Sequence, residues 1–172
     1  MKKHQNEALK RWLRRYGELQ RDADVLFDRL DDLRGRVESA RTAHLNGLPH
    51  GSRGDTDRLG GIIAELEEIE AEAAEAQQAA TAARREIAAA IKRISGPRWA
   101  DKREILRLRY IDRLPWADAT EKMFGDSQDF WDRQEVYLRR VFKLHSQALE
   151  ELADYVQIEP GQENYMQEDD RK

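Results

Sequence analysis

The stretch LKRWLRRYGELQRDADVLFDRLDDLRGRV, Leu9–Val37, decides the fold. Its apolar residues fall at Leu9, Trp12, Tyr16, Leu19, Ala23, Leu26, Leu30, Leu33 and Val37, at steps that alternate three and four without a break. Such spacing predicts a helix carrying a heptad seam. A second seam follows the same alternation through Leu59, Ile62, Leu66, Ile69, Ala73, Ala76, Ala80, Ala83, Ile87, Ala90 and Ile94. A period held this long predicts a left-handed supercoil of the two helices.

Between the seams, Pro49 and the glycines at 47, 51 and 54 interrupt any helix, and Asp55, Thr56 and Asp57 are candidate N-caps for the second one. If the chain reverses over a loop at about 45–56, Trp12, Tyr16 and Leu19 come to face Ala83, Ala80 and Ala76. Large side chains then meet small ones, which favours pairing within one chain. The same seams would also pair between chains, so a homo-oligomer through the coiled coil stays open. At about 1.5 Å per residue, the expected antiparallel pair is a rod some 50 to 60 Å long.

Composition agrees with a thin fold. Charged residues are 37% of the 172, mean hydropathy is −0.90, and 21 of the hydrophobic residues are alanines, so large side chains for a thick core are scarce. No window approaches the roughly 18 apolar residues of a membrane span, and the first residues lack the apolar run of a signal peptide, so a cytoplasmic, non-membrane protein is expected. With no cysteine and four scattered histidines, neither a metal nor another cofactor is expected. The chain has no cluster of nucleophile, base and orienting group and no phosphate-binding glycine loop, so no enzyme is expected.

A new unit begins at Ser95-Gly96-Pro97, where the glycine suits a left-handed helix cap and the proline cannot continue the helix. Asp101 to Tyr110 reads as a helix, Arg113-Leu114-Pro115 as a turn and Trp116 to Phe124 as a second helix. A turn at Gly125–Ser127 then leads to a third helix ending near Val156. The expected fold class is all-α: residues 1–95 a long two-helix antiparallel coiled-coil hairpin, 96–156 a small three-helix helix-turn-helix module, and 157–172 an acidic disordered tail.

On the third helix, at 100° per residue, Arg139, Arg140, Lys143, Ser146 and Gln147 fall between about −20° and 100°, and Leu138, Val141, His145, Ala148, Leu149 and Leu152 between about 180° and 280°. One face packs. The other presents three cations and two hydrogen-bonding side chains, the types that reach phosphates and base edges in a major groove. His145 lies on the packing side, which makes it a hydrogen-bonded core histidine, and Leu114 and Trp116 read as core anchors.

Ile105-Leu-Arg-Leu-Arg-Tyr-Ile-Asp-Arg-Leu-Pro-Trp116, then Gly125, then Val141-Phe-Lys-Leu-His-Ser-Gln-Ala-Leu-Glu-Glu-Leu152 together resemble region 4 of sigma factors. They resemble more closely the small phage regulators of the RinA and ArpU type. The likeness extends upstream through Gly61-Ile-Ile-Ala-Glu-Leu-Glu-Glu-Ile-Glu70 and covers roughly residues 47 to 155. It implies a phage or prophage transcriptional regulator in the bacterial host cell, binding duplex DNA through its last long helix, with RNA polymerase as a further partner. Two other classes remain open: a packaging component like the small terminase subunits, and a coiled-coil interaction scaffold without DNA binding.

Two departures from the family pattern matter. Ala119-Thr120 stands where an Ile-Ala pair is usual, and Asp126–Val136 occupies about ten residues where a short turn is expected. Phe130 and Trp131 continue the apolar face of the third helix, so either Ser127 caps one long helix or the helix breaks near Glu135. In the first case Asp129, Asp132 and Glu135 share the side of the cations, where they would repel phosphates, so that either the docking differs from the sigma-like one or DNA binding has weakened and a protein partner has taken its place.

Charge is segregated along the chain. Residues 1–21 carry seven bases against two acids and 76–95 four against one, whereas 22–75 carry six against fourteen. An antiparallel rod would then be positive beside the module and negative at its far tip, a gradient that orients a molecule on a polyanion. The segment 150–172 holds two bases and eight acids, so the overall net charge of −4 leaves room for a basic module.

Overall fold

The computed structural model describes residues 2–45 and 54–156, without the side chains of 2–5, 41, 43–45 and 54–59. All regular structure among them is helical: α1 Lys2–Leu45, α2 Gly54–Ile91, α3 Trp99–Leu106, a π-helical turn Arg107–Ile111, α4 Trp116–Phe124 and α5 Gln134–Ala153. None of these helices is long and apolar enough to cross a membrane. Asp55, Thr56 and Asp57 lie inside α2, which begins at Gly54, and so do not cap it. The rest of the expected loop, 46–53, and the expected acidic tail, 157–172, fall outside the described residues.

The chain divides into two compact units, Tyr16–Ala83 in one, and the start of α1 up to Arg15 with the described residues from Arg84 onward in the other. In the first, the seam positions Ala23, Leu30, Leu33, Val37, Ile69, Ala73, Ala80 and Ala83 are buried, and Ile62 and Leu66 pack against a cluster of Leu30, Leu33 and Ile69. Gln20 donates to Gln77, Arg29 to Glu65 and Arg34 to Glu70, each joining α1 to α2 within this unit.

The other unit buries Leu9 and Leu13 from α1, Ile87, Ala90 and Ile91 from the end of α2, and Ile94 just beyond it. Leu13 stands outside the heptad seam, yet it is fully buried. The start of α1 shares this unit with the C-terminal helices and so covers a wider face than a two-helix seam requires. Arg15 is paired with Glu86 here.

Gly96 does not take the left-handed conformation expected of it; the positive φ values, 57° in both cases, belong to Arg98 and Arg113. The glycine serves another purpose. A Cβ there would sit 3.0 and 3.1 Å from the two carboxylate oxygens of Glu151. That carboxylate accepts hydrogen bonds from the backbone N–H groups of Ser95 (2.8 Å) and Gly96 (2.7 Å) and from Lys102 Nζ (2.9 Å), tying the exit of α2 to α3 and α5. Arg103 completes the junction by donating to the carbonyls of Ile94 and Lys92, groups that the end of α2 leaves without helical partners.

The single helix expected over Asp101–Tyr110 is instead α3 followed by a wider turn, in which the N–H of Asp112 reaches the carbonyl of Arg107 (2.9 Å). The wider turn lets the Leu114 N–H bond the Leu108 carbonyl. Arg109 lies over the Trp116 ring at 4.9 Å and donates to the Leu114 carbonyl. This arginine therefore clamps the α3–α4 turn. The bounds of α4 agree with the sequence expectation. Ala119 and Thr120 are both buried, with the Thr120 hydroxyl returned to the Trp116 carbonyl at 2.7 Å, so the pair makes a packed, self-satisfied face.

Residues 125–133 form successive tight turns, and α5 begins only at Gln134: of the two alternatives for this segment, the helix breaks. Phe130 explains the break. It is 3% exposed and rests on the Tyr137 ring at 5.5 Å, which itself lies 5.3 Å from Phe124. Turning the chain to bury Phe130 leaves its neighbour Trp131 65% exposed.

Candidate nucleic-acid interface

The last helix, α5, owes its orientation to one apolar face. Val141, Leu144, His145, Ala148, Leu149 and Leu152 are buried, and Val141 and Leu144 join Ile105, Leu108 and Ala119 in a core flanked by Leu114, Trp116, Met123 and Phe124. Leu138, expected on this side, is half-buried. Burying this face leaves Arg139, Arg140, Lys143, Ser146 and Gln147 all exposed.

Each of the five has a distinct setting. Arg139 is 78% exposed and paired with Glu135, itself 86% exposed, at 3.2 Å; in open solvent a pair of this kind contributes about 0 to 1 kcal/mol and yields readily to a stronger anion. Arg140 lies over the Phe124 ring at 4.9 Å, which orients the guanidinium while keeping it in water. Lys143 has no hydrogen bond or ion pair among the described residues. Ser146 is open to solvent. Gln147 lies at the edge of an open cleft of about 620 Å³ shared with Lys102, Glu150, Glu151 and Asp154.

The carboxylates feared on this face separate. Asp129 is turned into the connection, accepting from Tyr137 Oη (2.6 Å) and Arg133 (3.0 Å), and those hydrogen bonds hold its carboxyl below the usual range. Glu135 does stay beside the cations. Glu150, which sequence reading did not weigh, falls on the same line one turn beyond Ser146, and it is exposed. The positive part of the face is therefore Arg139, Arg140 and Lys143, with Ser146 beyond it and an acidic edge at Gln147. Two exposed apolar residues also escaped the sequence reading: Val136, 47% exposed, on this side, and Phe142, 43% exposed, at the border of the packing side and edge-on to Trp116 at 5.1 Å. Their positions were available from the helical period, but their exposure depends on where the core ends.

His145 is 8% exposed, 3.0 Å from Tyr110 Oη through Nε2 and edge-on to Trp116 at 4.9 Å. Burial, with Lys10, Arg109 and Arg14 nearby, pushes its pKa down to about 4, and burial pushes Tyr110 up to about 12. Both are neutral at pH 7 and belong to the core. The unit that presents α5 carries 21 Lys and Arg against 14 Asp and Glu up to residue 156, while Tyr16–Ala83 carries 7 against 15. No family model, curated protein or solved structure matches this chain.

Proposed function

We propose that this chain is a DNA-binding transcriptional regulator of the phage type that its sequence resembles, docking α5 on duplex DNA. Arg139, Arg140 and Lys143 take the phosphates, Ser146 is a candidate base reader, and Gln147 is a second one at the acidic edge of the face. The observation carrying this reading is the division of α5 into a buried apolar side and an exposed side on which three cations cluster within five residues. A helix presented so, in a unit with an excess of basic residues, has the charge and shape that a major groove accepts. RNA polymerase and a second copy of the chain are the further partners this reading implies, in a bacterial cytoplasm.

The nine-residue connection 125–133, longer than the three or four residues of an ordinary helix-turn-helix, and the exposed Trp131 favour a second reading, in which this end of the module grips a protein. One experiment separates them: binding of duplex DNA over a salt series by the wild type and by Arg139→Glu/Arg140→Glu. Phosphate contact predicts a log–log slope of about −0.9 per neutralised phosphate, shallower by about 2 in the double variant. Equal slopes in the two proteins would remove α5 from the interface, and absence of salt-dependent binding would favour the protein-partner reading.

A further inference from the structure

We infer that Val136 reads sequence, by packing its methyl groups on the 5-methyl group of a thymine in the major groove. This rests on the docking of α5 proposed above and adds the chemistry by which one base would be told from another. Val136 lies in the first turn of α5 and is 47% exposed. At 100° per residue it falls at about 60° from Arg139, between Arg139 and Arg140 and close to the line of Lys143. An uncharged, branched side chain thus stands inside the cluster of cations.

Helix formation does not explain it, because valine is a weaker helix former than the lysine, glutamate or glutamine an exposed position would otherwise hold. Core packing explains it only in part, since nearly half of it faces water. Phosphates offer it nothing. On a face whose three cations neutralise phosphates, the complementary apolar group is the thymine methyl, the one such group that a major groove displays. The early turns of a recognition helix are also those that approach base edges. Trp131, though more exposed, does not join this surface: it lies outside α5, in the connection, where the exposed Asp126 and Asp132 flank it in sequence and would repel the backbone of the duplex.

The test uses the full chain. Preferred duplexes are selected from a random pool with the wild type, and each thymine of the preferred site is then replaced by uracil, which removes the methyl group alone. Replacement at one position should weaken wild-type binding about three- to fivefold, the effect of losing one buried methyl contact. Val136→Ala should bind the thymine duplex more weakly by a similar factor and be indifferent to uracil at that position. If every uracil replacement leaves the wild type unaffected while binding stays salt-dependent, the assignment of Val136 fails and the docking of α5 stands. If the chain selects no duplex and shows no salt-dependent binding, both fail. A Val136→Ala variant that loses self-association or capture of a protein while keeping the uracil effect would likewise overturn the assignment.

Discussion

Tyr110 Oη lies 3.0 Å from His145 Nε2, and the two rings are stacked with centroids 5.8 Å apart. This pair joins the turn after α3 to the buried side of α5, the element on which the proposed interface depends. Its neighbours explain why the histidine stays uncharged. Lys10 and Arg14 come from α1 and Arg109 from the π-helical turn, so a proton on the imidazole would be both desolvated and repelled.

Stability should therefore fall with acidification in a defined window. Unfolded His145 titrates near 6.5 and the folded group near 4, so between these values the unfolded chain binds more protons. The folded state is favoured above pH 6.5 and loses up to about 3 kcal/mol as pH falls to 4. Urea unfolding at pH 7, 6 and 5 should show this slope in the wild type and a flatter one in His145→Leu. The same slope in both would mean that another group carries the proton uptake. The interval from 6.5 to 5 is the cleaner one, because Glu151 begins to lose its contribution only as pH falls below its ordinary value of 4.5 toward about 2.

Glu151 is the joint between α2, α3 and α5. Its acidity is strengthened first by the Gly96 N–H, then by Lys102 and the Ser95 N–H. Glu151→Gln keeps the shape and removes the charge that all three donors address, and should destabilise the fold by about 2 kcal/mol at pH 7. Gly96→Ala should also destabilise, since the Cβ must displace a carboxylate already held by three hydrogen bonds. Because both changes disturb one contact, the double variant should lose less than the sum of the two. Additive losses in urea unfolding would show that Gly96 and Glu151 act separately.

Arg113 predicts a gain. Its φ of 57° places a residue with a Cβ in the left-handed region, and its exposed side chain makes no hydrogen bond or ion pair among the described residues. Glycine takes this conformation without the steric penalty, offset in part by its greater freedom when unfolded. Arg113→Gly should raise stability by about 0.5 to 1 kcal/mol, read as an increase of about 2 °C in Tm. A decrease would reveal a side-chain contact worth more than the backbone strain.

Periodicity carried the parts of the fold that depend on neighbours within a few residues. The alternating steps from Leu9 to Val37 and from Leu59 to Ile94 marked helices whose seam residues are in large part buried, from Leu30 and Leu33 to Ile87 and Ile94. Pro115 and Gly125 bracketed α4, and the opposed faces of α5 were visible in the order of its residues, as was the core position of His145. Spacing encodes such features because a helix turns by a constant angle, so sequence order alone assigns each side chain to a face. Contacts between residues far apart in the chain carried the rest. Gly96 is required by a carboxylate 55 residues away and not by its own φ. Arg109 turns inward because a π-helical turn brings it over Trp116, the helix breaks at 125–133 because Phe130 finds a place beside Tyr137, and Glu150 matters because the face it borders is the one left uncovered. None of these follows from local order, since each depends on which distant backbone or ring fills the adjoining space.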